Sequence, residues 1–347
     1  MTSTVIKQGI NFIREKKQEG IDIRIPRKSM QNDDLFSTPP AIERKQADIL
    51  EDSGNLKTKA VEIQEEKSGF SYFLDGIERK KILFYYRSIP VIYGYVSGVV
   101  MKRTDKQMHS IGLEKAEENF YLPLKNSPDA PEHYFSFEEI DKLNKNPVNV
   151  GKPDNKGGGF PVMPEQFIQA AHSKIQTGRN EIEESLVKEW IQGNYNDGWL
   201  FVDGRLESKN KDLIAGANIV GVIKSHHASY FDYKDLYKIY SMKKGERSGV
   251  FRPKDEKGGK ENVFSWYLRL HYDKRQGDNN FGLIRVEVPA EDMFLKKADL
   301  ISSWILLETK PVAFPASRWD RMIYPIKYCE DYLKSKAPSW TLIDSLH

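Results

Sequence analysis

The chain has 347 residues, of which 39% are hydrophobic, 12% aromatic and 30% charged, with 53 Lys and Arg against 50 Asp and Glu. That is enough apolar material for a true core, which excludes global disorder and fibrous architectures. A net charge of +3 speaks to solubility and not to a partner, so any nucleic-acid reading must come from local sites.

The lone Cys329 excludes an intramolecular disulfide framework and a multi-cysteine zinc site, and it suits a reducing compartment. The first twenty residues carry no apolar signal segment. Ile89–Tyr95 and Ile301–Leu307, the longest apolar stretches, fall far short of the ~20 residues a bilayer requires. The expectation is a cytoplasmic protein without a membrane partner.

Residues 1–67 read as an N-terminal helical or flexible arm. Pro26, Pro39 and Pro40 interrupt a polar stretch flanked by two charged segments of helical character, Val5–Gln18 and Ala41–Leu50. Residues 68–347 form the main domain. The β-rich part begins at Phe70: Ser71–Gly76 is a short strand ending in the turn signal Asp75-Gly76, and Ile89–Val100 is one long strand or a hairpin. Thr104–Phe160, with five prolines and Gly157-Gly158-Gly159, reads as a loop-rich insertion holding one short helix near Phe137–Leu143.

From Pro164 to Ile191 the apolar residues follow a 3.6-residue period. Pro164 suits the first helical position, and Gly178 is a point where the helix could divide. Strands follow at Trp199–Gly204 and Ile219–Lys224, and an antiparallel pair at Phe264–His271 and Gly282–Val288 flanks a turn around Gly277–Asn280. Ser302–Leu307 is apolar and of open type; Tyr324–Lys334 is a closing helix entered through Pro325. The succession predicts an α/β fold with a mixed sheet flanked by helices.

Two strands terminate in Asp-Gly, at Asp75 and Asp203. A carboxylate at a strand end sits on a rigid support, and the following glycine allows close approach. If the two strands are neighbours, both carboxylates converge where a hard divalent cation could bind; ordinary turn chemistry is the alternative. At about 100° per residue, Glu183 falls at the edge of the face made by Ile182, Leu186 and Trp190, whereas Glu184 faces solvent. The alternative puts both on an exposed charged face with Lys188 and Glu189.

Lys224 closes its strand as a phosphate contact or a solvated end. Arg285 and Glu287 share one strand face, either along a DNA path or paired with each other on the surface. Ser241–Lys260 contains seven basic and three acidic residues, the composition of a loop that touches phosphates, Lys243 and Lys244 among them, or of a plain solvated loop. The adjacent His226 and His227 point oppositely on a strand and make a poor chelating pair. No Gly-Lys-Ser/Thr phosphate loop is present, so a nucleotide-driven motor would have to be a partner.

In order, Phe73-Leu74-Asp75-Gly76, Arg179-x-x-Ile182-Glu183, Leu200-Phe201-Val202-Asp203-Gly204-Arg205-Leu206, Val220–Ser225, Tyr267–Leu270, Ile284–Pro289 and Tyr324-Pro325-Ile326 resemble the segments of the NurA nuclease family. The resemblance covers about Phe70 to the C-terminus and is poor over Thr104–Phe160. It implies a ribonuclease H-like fold and a Mn²⁺- or Mg²⁺-dependent DNA nuclease, dimeric and partnered by a HerA-type hexameric ATPase, acting in DNA end processing or phage defence. By motif position, Asp75, Glu183 and Asp203 are the acidic metal ligands and Tyr324 is the last-motif aromatic; in the nuclease mechanism this implies, Lys224, at its strand end, is a candidate catalytic cation and phosphate contact. Arg205 and Arg285 join Lys224 on the nucleic-acid side. Glu330 stands where the family usually has histidine. It could still ligate a hard cation, but it cannot donate a proton at neutral pH as imidazolium does. The alternatives are a weak or inactive DNA-binding adaptor, and a nuclease acting on RNA.

Overall fold

A computed structural model describes residues 4–21, 23–24, 43–141, 143, 147–153, 159–193, 195, 197–206, 211–224, 228–255, 257–272, 279–310 and 319–340. The principal strands are β1 (Phe70–Tyr86), β2 (Ile89–Thr104), β3 (Gln107–Leu122), β4 (Trp199–Asp203), β5 (Ile219–Ile223), β6 (Val263–Arg269) and β7 (Leu283–Pro289). The principal helices are α1 (Thr4–Gln18), α2 (Pro164–Gln192), α3 (Tyr233–Tyr240), α4 (Ala298–Glu308) and α5 (Tyr324–Lys336).

The result is an α/β architecture with one large mixed sheet. The strand order through its centre is β6-β7-β5-β4-β1-β2-β3. Strands β1, β2 and β3 form an antiparallel meander. β4 lies parallel to β1, and β5 parallel to β4; β7 returns antiparallel to β5, and β6 pairs with β7 from Val263↔Pro289 to Arg269↔Leu283. The first five strands therefore stand in the order 3-2-1-4-5. The buried, β-branched and aromatic runs of β4 and β5 suit central parallel strands covered on both faces.

Helix α2 lies across β1, β2 and β3, and α5 across β1 and β2. Ile182 and Leu186 of α2 reach Gly98 of β2 so closely that a Cβ there would sit 2.9 Å from Leu186 Cδ1. The absent side chain lets helix and sheet approach. Pro164 does occupy the first turn of α2. Helix α4 places Trp304 edge-on to Phe70 and Trp199, and Trp266 Nε1 donates to Ser302 Oγ.

Several expectations change. The strand at Phe70 does not stop at Asp75-Gly76 but runs for 17 residues; Gly76 faces Gly98 across the ladder and serves the close approach of α2 in place of a turn. Within the supposed insertion, Gln107–Leu122 is the third strand of the meander. Its Lys, Glu and Ala disfavour strand locally, and pairing with β2 along nearly its whole length overrides that preference. Gly178 does not divide α2, and Ser302–Leu307 belongs to a helix.

The N-terminal region is also more integrated than an arm. Helix α1 buries Val5, Ile6, Phe12 and Ile13 in the main core. In the Ala41–Leu50 segment, the described part is extended: Gln46–Ile49 pairs with Phe251–Lys254. The second of the expected helices is thus replaced by an edge strand, because long-range pairing outweighs local charge pattern. Among the described residues, no helix is long and apolar enough to cross a membrane.

Candidate active site

Parallel pairing of Phe73 with Phe201 and Leu74 with Val202 sets Asp75 and Asp203 at the same level of adjacent strands. Both have side chains on the side of Phe73 and Phe201. Helix α2 brings the third carboxylate. Glu183 is buried, and a Cβ on Gly76 would lie only 2.5 Å from its Oε1; one on Gly204 would lie 3.9 Å from its Oε2. The two glycines of the Asp-Gly pairs thus flank the Glu183 carboxylate. The helical-wheel position of Glu183 holds, and the exposed-face alternative does not.

Two cations sit among the acids. Arg179, one turn before Glu183, donates from Nε to Glu183 Oε1 at 2.9 Å and reaches Asp75 Oδ1 at 3.8 Å. Lys224, just past β5, meets Asp203 Oδ2 at 2.9 Å. Burial pushes the Asp75 carboxyl well above the usual carboxylate range, and the Asp203 charge adds to that rise, against the opposing pull of Arg179 and Lys224. Such crowding of carboxylates is the electrostatic signature of functional sites. Among the described residues, no three His, Cys, Asp or Glu side chains are gathered tightly enough to hold an ion as they stand. Arg179 and Lys224 serve as counter-ions to the acids.

Lys224 is itself held in place. Arg321 Nη1 donates to its carbonyl at 2.6 Å, and the neighbouring Asp320 accepts from Gly282 N–H at 2.7 Å. Neither Arg321 nor Asp320 was signalled by the sequence, since they lie in a one-turn helix, Trp319–Arg321, with no motif around it. Arg179 stood inside a motif without an assigned role. Cys329 of α5 approaches the Phe73 carbonyl, and burial pushes its thiol far up, with Asp75 and Asp203 adding to the rise. It is a neutral packing residue at the floor of the acids.

The other expected residues divide. Tyr324 opens α5 and is exposed. Glu330 follows Cys329, but its carboxylate is engaged by Lys334 and Lys327 of its own helix, which hold it below the usual range against the push of burial. Arg205 is half-buried next to Gly204.

Arg285 is not on a surface. It is buried at 3% exposure, meets Glu287 at 2.9 Å and lies over the Tyr230 ring, while Glu287 accepts from Leu206 N–H. The two residues do pair with each other, as one of the readings had it, but inside the protein and not on its surface; a side chain enclosed in this way is structural and does not line a DNA path.

The basic Ser241–Lys260 segment is likewise no simple loop. Glu246–Ser248 and Phe251–Lys254 are strands, and Arg247 is buried between Glu51 and Asp299. Lys243 and Lys244 remain exposed at the preceding turn. His226 and His227, and residues 154–158 of the Gly-rich stretch, lie outside the described residues. Comparison with protein-family models gives no match for this chain, and comparison with curated proteins gives none either.

Proposed function

We propose that the protein is a ribonuclease H-like, metal-dependent DNA nuclease of the NurA kind. The observation that carries the reading is the convergence of Asp75 from β1, Glu183 from α2 and Asp203 from β4 around two glycines, on a sheet of order 3-2-1-4-5. The donor chemistry suits a hard divalent cation, because all three groups offer oxygen and their mutual repulsion is what a cation relieves; the side chains would have to close on the ion from their present positions.

Asp75, Glu183 and Asp203 would hold Mn²⁺ or Mg²⁺, which when bound supplies an activated water and charge stabilisation for phosphodiester hydrolysis. Arg179 and Lys224 keep the acids together before loading. Their side chains are 31% and 18% exposed, so each can turn toward a phosphate. Glu330, held by two lysines, leaves protonation of the leaving oxygen to solvent. A dimer, a HerA-type ATPase partner and a cytoplasmic setting belong to the same proposal.

End-labelled single- and double-stranded DNA and matching RNA, incubated with Mn²⁺, Mg²⁺ or chelator, test it. Metal-dependent DNA cleavage is expected, with loss in Asp75→Asn and Asp203→Asn. Mn²⁺ at a hundred times its Kd should stabilise the wild type by about 2.7 kcal/mol, and the Asn variants much less. Preferred cleavage of RNA, or cleavage unaffected by both substitutions, overturns the assignment. Tight DNA binding with no cleavage leaves the adaptor role in its place.

A further inference from the structure

Helix α3 is anchored from below and bare above. Asp232 caps it by accepting from Asp235 N–H at 3.0 Å, and Ile239 is buried with Tyr230, Met242 and Phe251 in a second core while Leu236 packs against it. On the outer side, Tyr233 is 83% exposed and Tyr237 64% exposed. They are the i and i+4 residues of one helix, so their Cβ atoms lie about 5–6 Å apart on one side of it. Large aromatics are ordinarily buried to gain several times the free energy of one CH₂ group, and here two are presented to solvent on consecutive turns.

The surroundings supply positive charge. Lys234 lies between the tyrosines in sequence and is exposed, and Lys243 and Lys244 follow the helix, also exposed. The nearby acids are occupied: Asp235 pairs with Lys238 at 2.7 Å, and Asp232 serves the cap.

The helix is also fixed relative to the carboxylates. Buried Arg269 donates to the carbonyl of Tyr240 at the helix end and to that of Asn279 before β7, and its own carbonyl accepts from Gly245 N–H. The start of β7 is latched by Asp320, and Arg321 grips the Lys224 carbonyl. A series of hydrogen bonds thus leads from α3 to the cation that touches Asp203.

We infer that Tyr233 and Tyr237, with Lys234, Lys243 and Lys244, form a stacking platform for a single strand of DNA leading to the carboxylate site. The inference rests on the nuclease reading and names the form of its substrate. Two aromatic side chains rooted about 5–6 Å apart at Cβ offer a ring each to successive unpaired bases, which a duplex keeps stacked on one another about 3.4 Å apart, and base stacking on aromatics tolerates any sequence. The lysines contact phosphate and add salt dependence without base selectivity.

The test is fluorescence anisotropy of a labelled oligodeoxythymidylate, its duplex and the matching RNA, in chelator so that cleavage plays no part. Tyr233→Ala with Tyr237→Ala should weaken single-strand binding at least about 25-fold, from about fivefold or more per ring, and leave duplex binding within about twofold. The double Tyr→Phe variant should bind like wild type, since the ring is kept. Replacing the three lysines by Gln should reduce the slope of log K against log salt by about 2.

Unchanged single-strand affinity in the Ala variant overturns the platform, as does an equal loss for single strand and duplex. So does tighter binding of RNA, or an Ala variant that turns an oligomer into a monomer in sedimentation, which would make the face a self-association surface. Cleavage lost in Asp75→Asn while the platform variants bind normally defeats the platform alone. A wild type that neither binds nor cuts DNA defeats both readings.

Discussion

Gly76→Ala is the sharpest probe of the carboxylate geometry. A Cβ at this position would lie 2.5 Å from Glu183 Oε1 and 3.2 Å from both Glu183 Cγ and Arg179 Nε. Ordinary contact begins near 3.4 Å, so the Glu183 carboxylate must retreat by about 0.9 Å, taking its Arg179 partner with it. The backbone itself meets nothing closer, and the displaced groups are side-chain ends, so the stability cost should stay within the ~1–3 kcal/mol of overpacking. Catalysis is less tolerant: a 1 Å misplacement of a positioned group costs about 10²-fold. Single-turnover cleavage with saturating Mn²⁺, beside thermal melting, separates the two effects. A rate reduced about 100-fold in a protein that still melts cooperatively is expected. A folded Gly76→Ala protein cutting at the wild-type rate would refute the claim that Glu183 must sit between the two glycines.

Three further outcomes follow from the same structure. Asp75 has its folded-state pKa raised by burial and by Asp203, so its contribution favours the fold below the unfolded value of about 3.9 and is lost as pH rises through the folded value. Metal-free Asp75→Asn should therefore melt higher than wild type at pH 8, with the gain gone near pH 4. At the other edge, burial pushes Glu51 and Asp299 up, but the Arg247 guanidinium holds both below the usual range. Their stabilisation is present above the unfolded pKa and lost as pH falls through the lowered one. Arg247→Met should cost about 3 kcal/mol in denaturant unfolding at pH 7, and this difference from wild type should shrink below pH 4. Gly178, inside α2 with only Val96 Cγ2 near at 3.9 Å, has room for a methyl group. Gly178→Ala should add about 0.8–1 kcal/mol from helix propensity and raise the melting temperature by about 2 °C without changing cleavage.

Much of the sheet centre was legible from the chain because β4, β5 and β7 are short, buried and β-branched, and α2 keeps a 3.6-residue period from its N-terminal proline. The type and periodicity of such elements are dictated by residues next to one another in sequence. Asp75, Glu183 and Asp203 could be named for the same reason: two end apolar runs in Asp-Gly, and the third borders an apolar helical stripe. Strand β3 was hidden since its Lys, Glu and Ala carry no strand preference; partner β2 imposes its conformation. The partner of Arg285 was visible two positions away but its burial was not, and Arg247 passed for surface charge because an arginine carries no mark of the remote carboxylates that enclose it. For Arg247 those are Glu51 and Asp299, some 196 and 52 positions distant; for Arg285 the neighbour is Glu287 on its own strand. Local chemistry, set by neighbours in the chain, determined the type of the short buried strands and of helix α2 and marked the three acids as candidates. Which acids meet, which cations stand among them, and which tyrosines stay in water depended on contacts between distant segments, whose energies exist only once the chain has closed on itself.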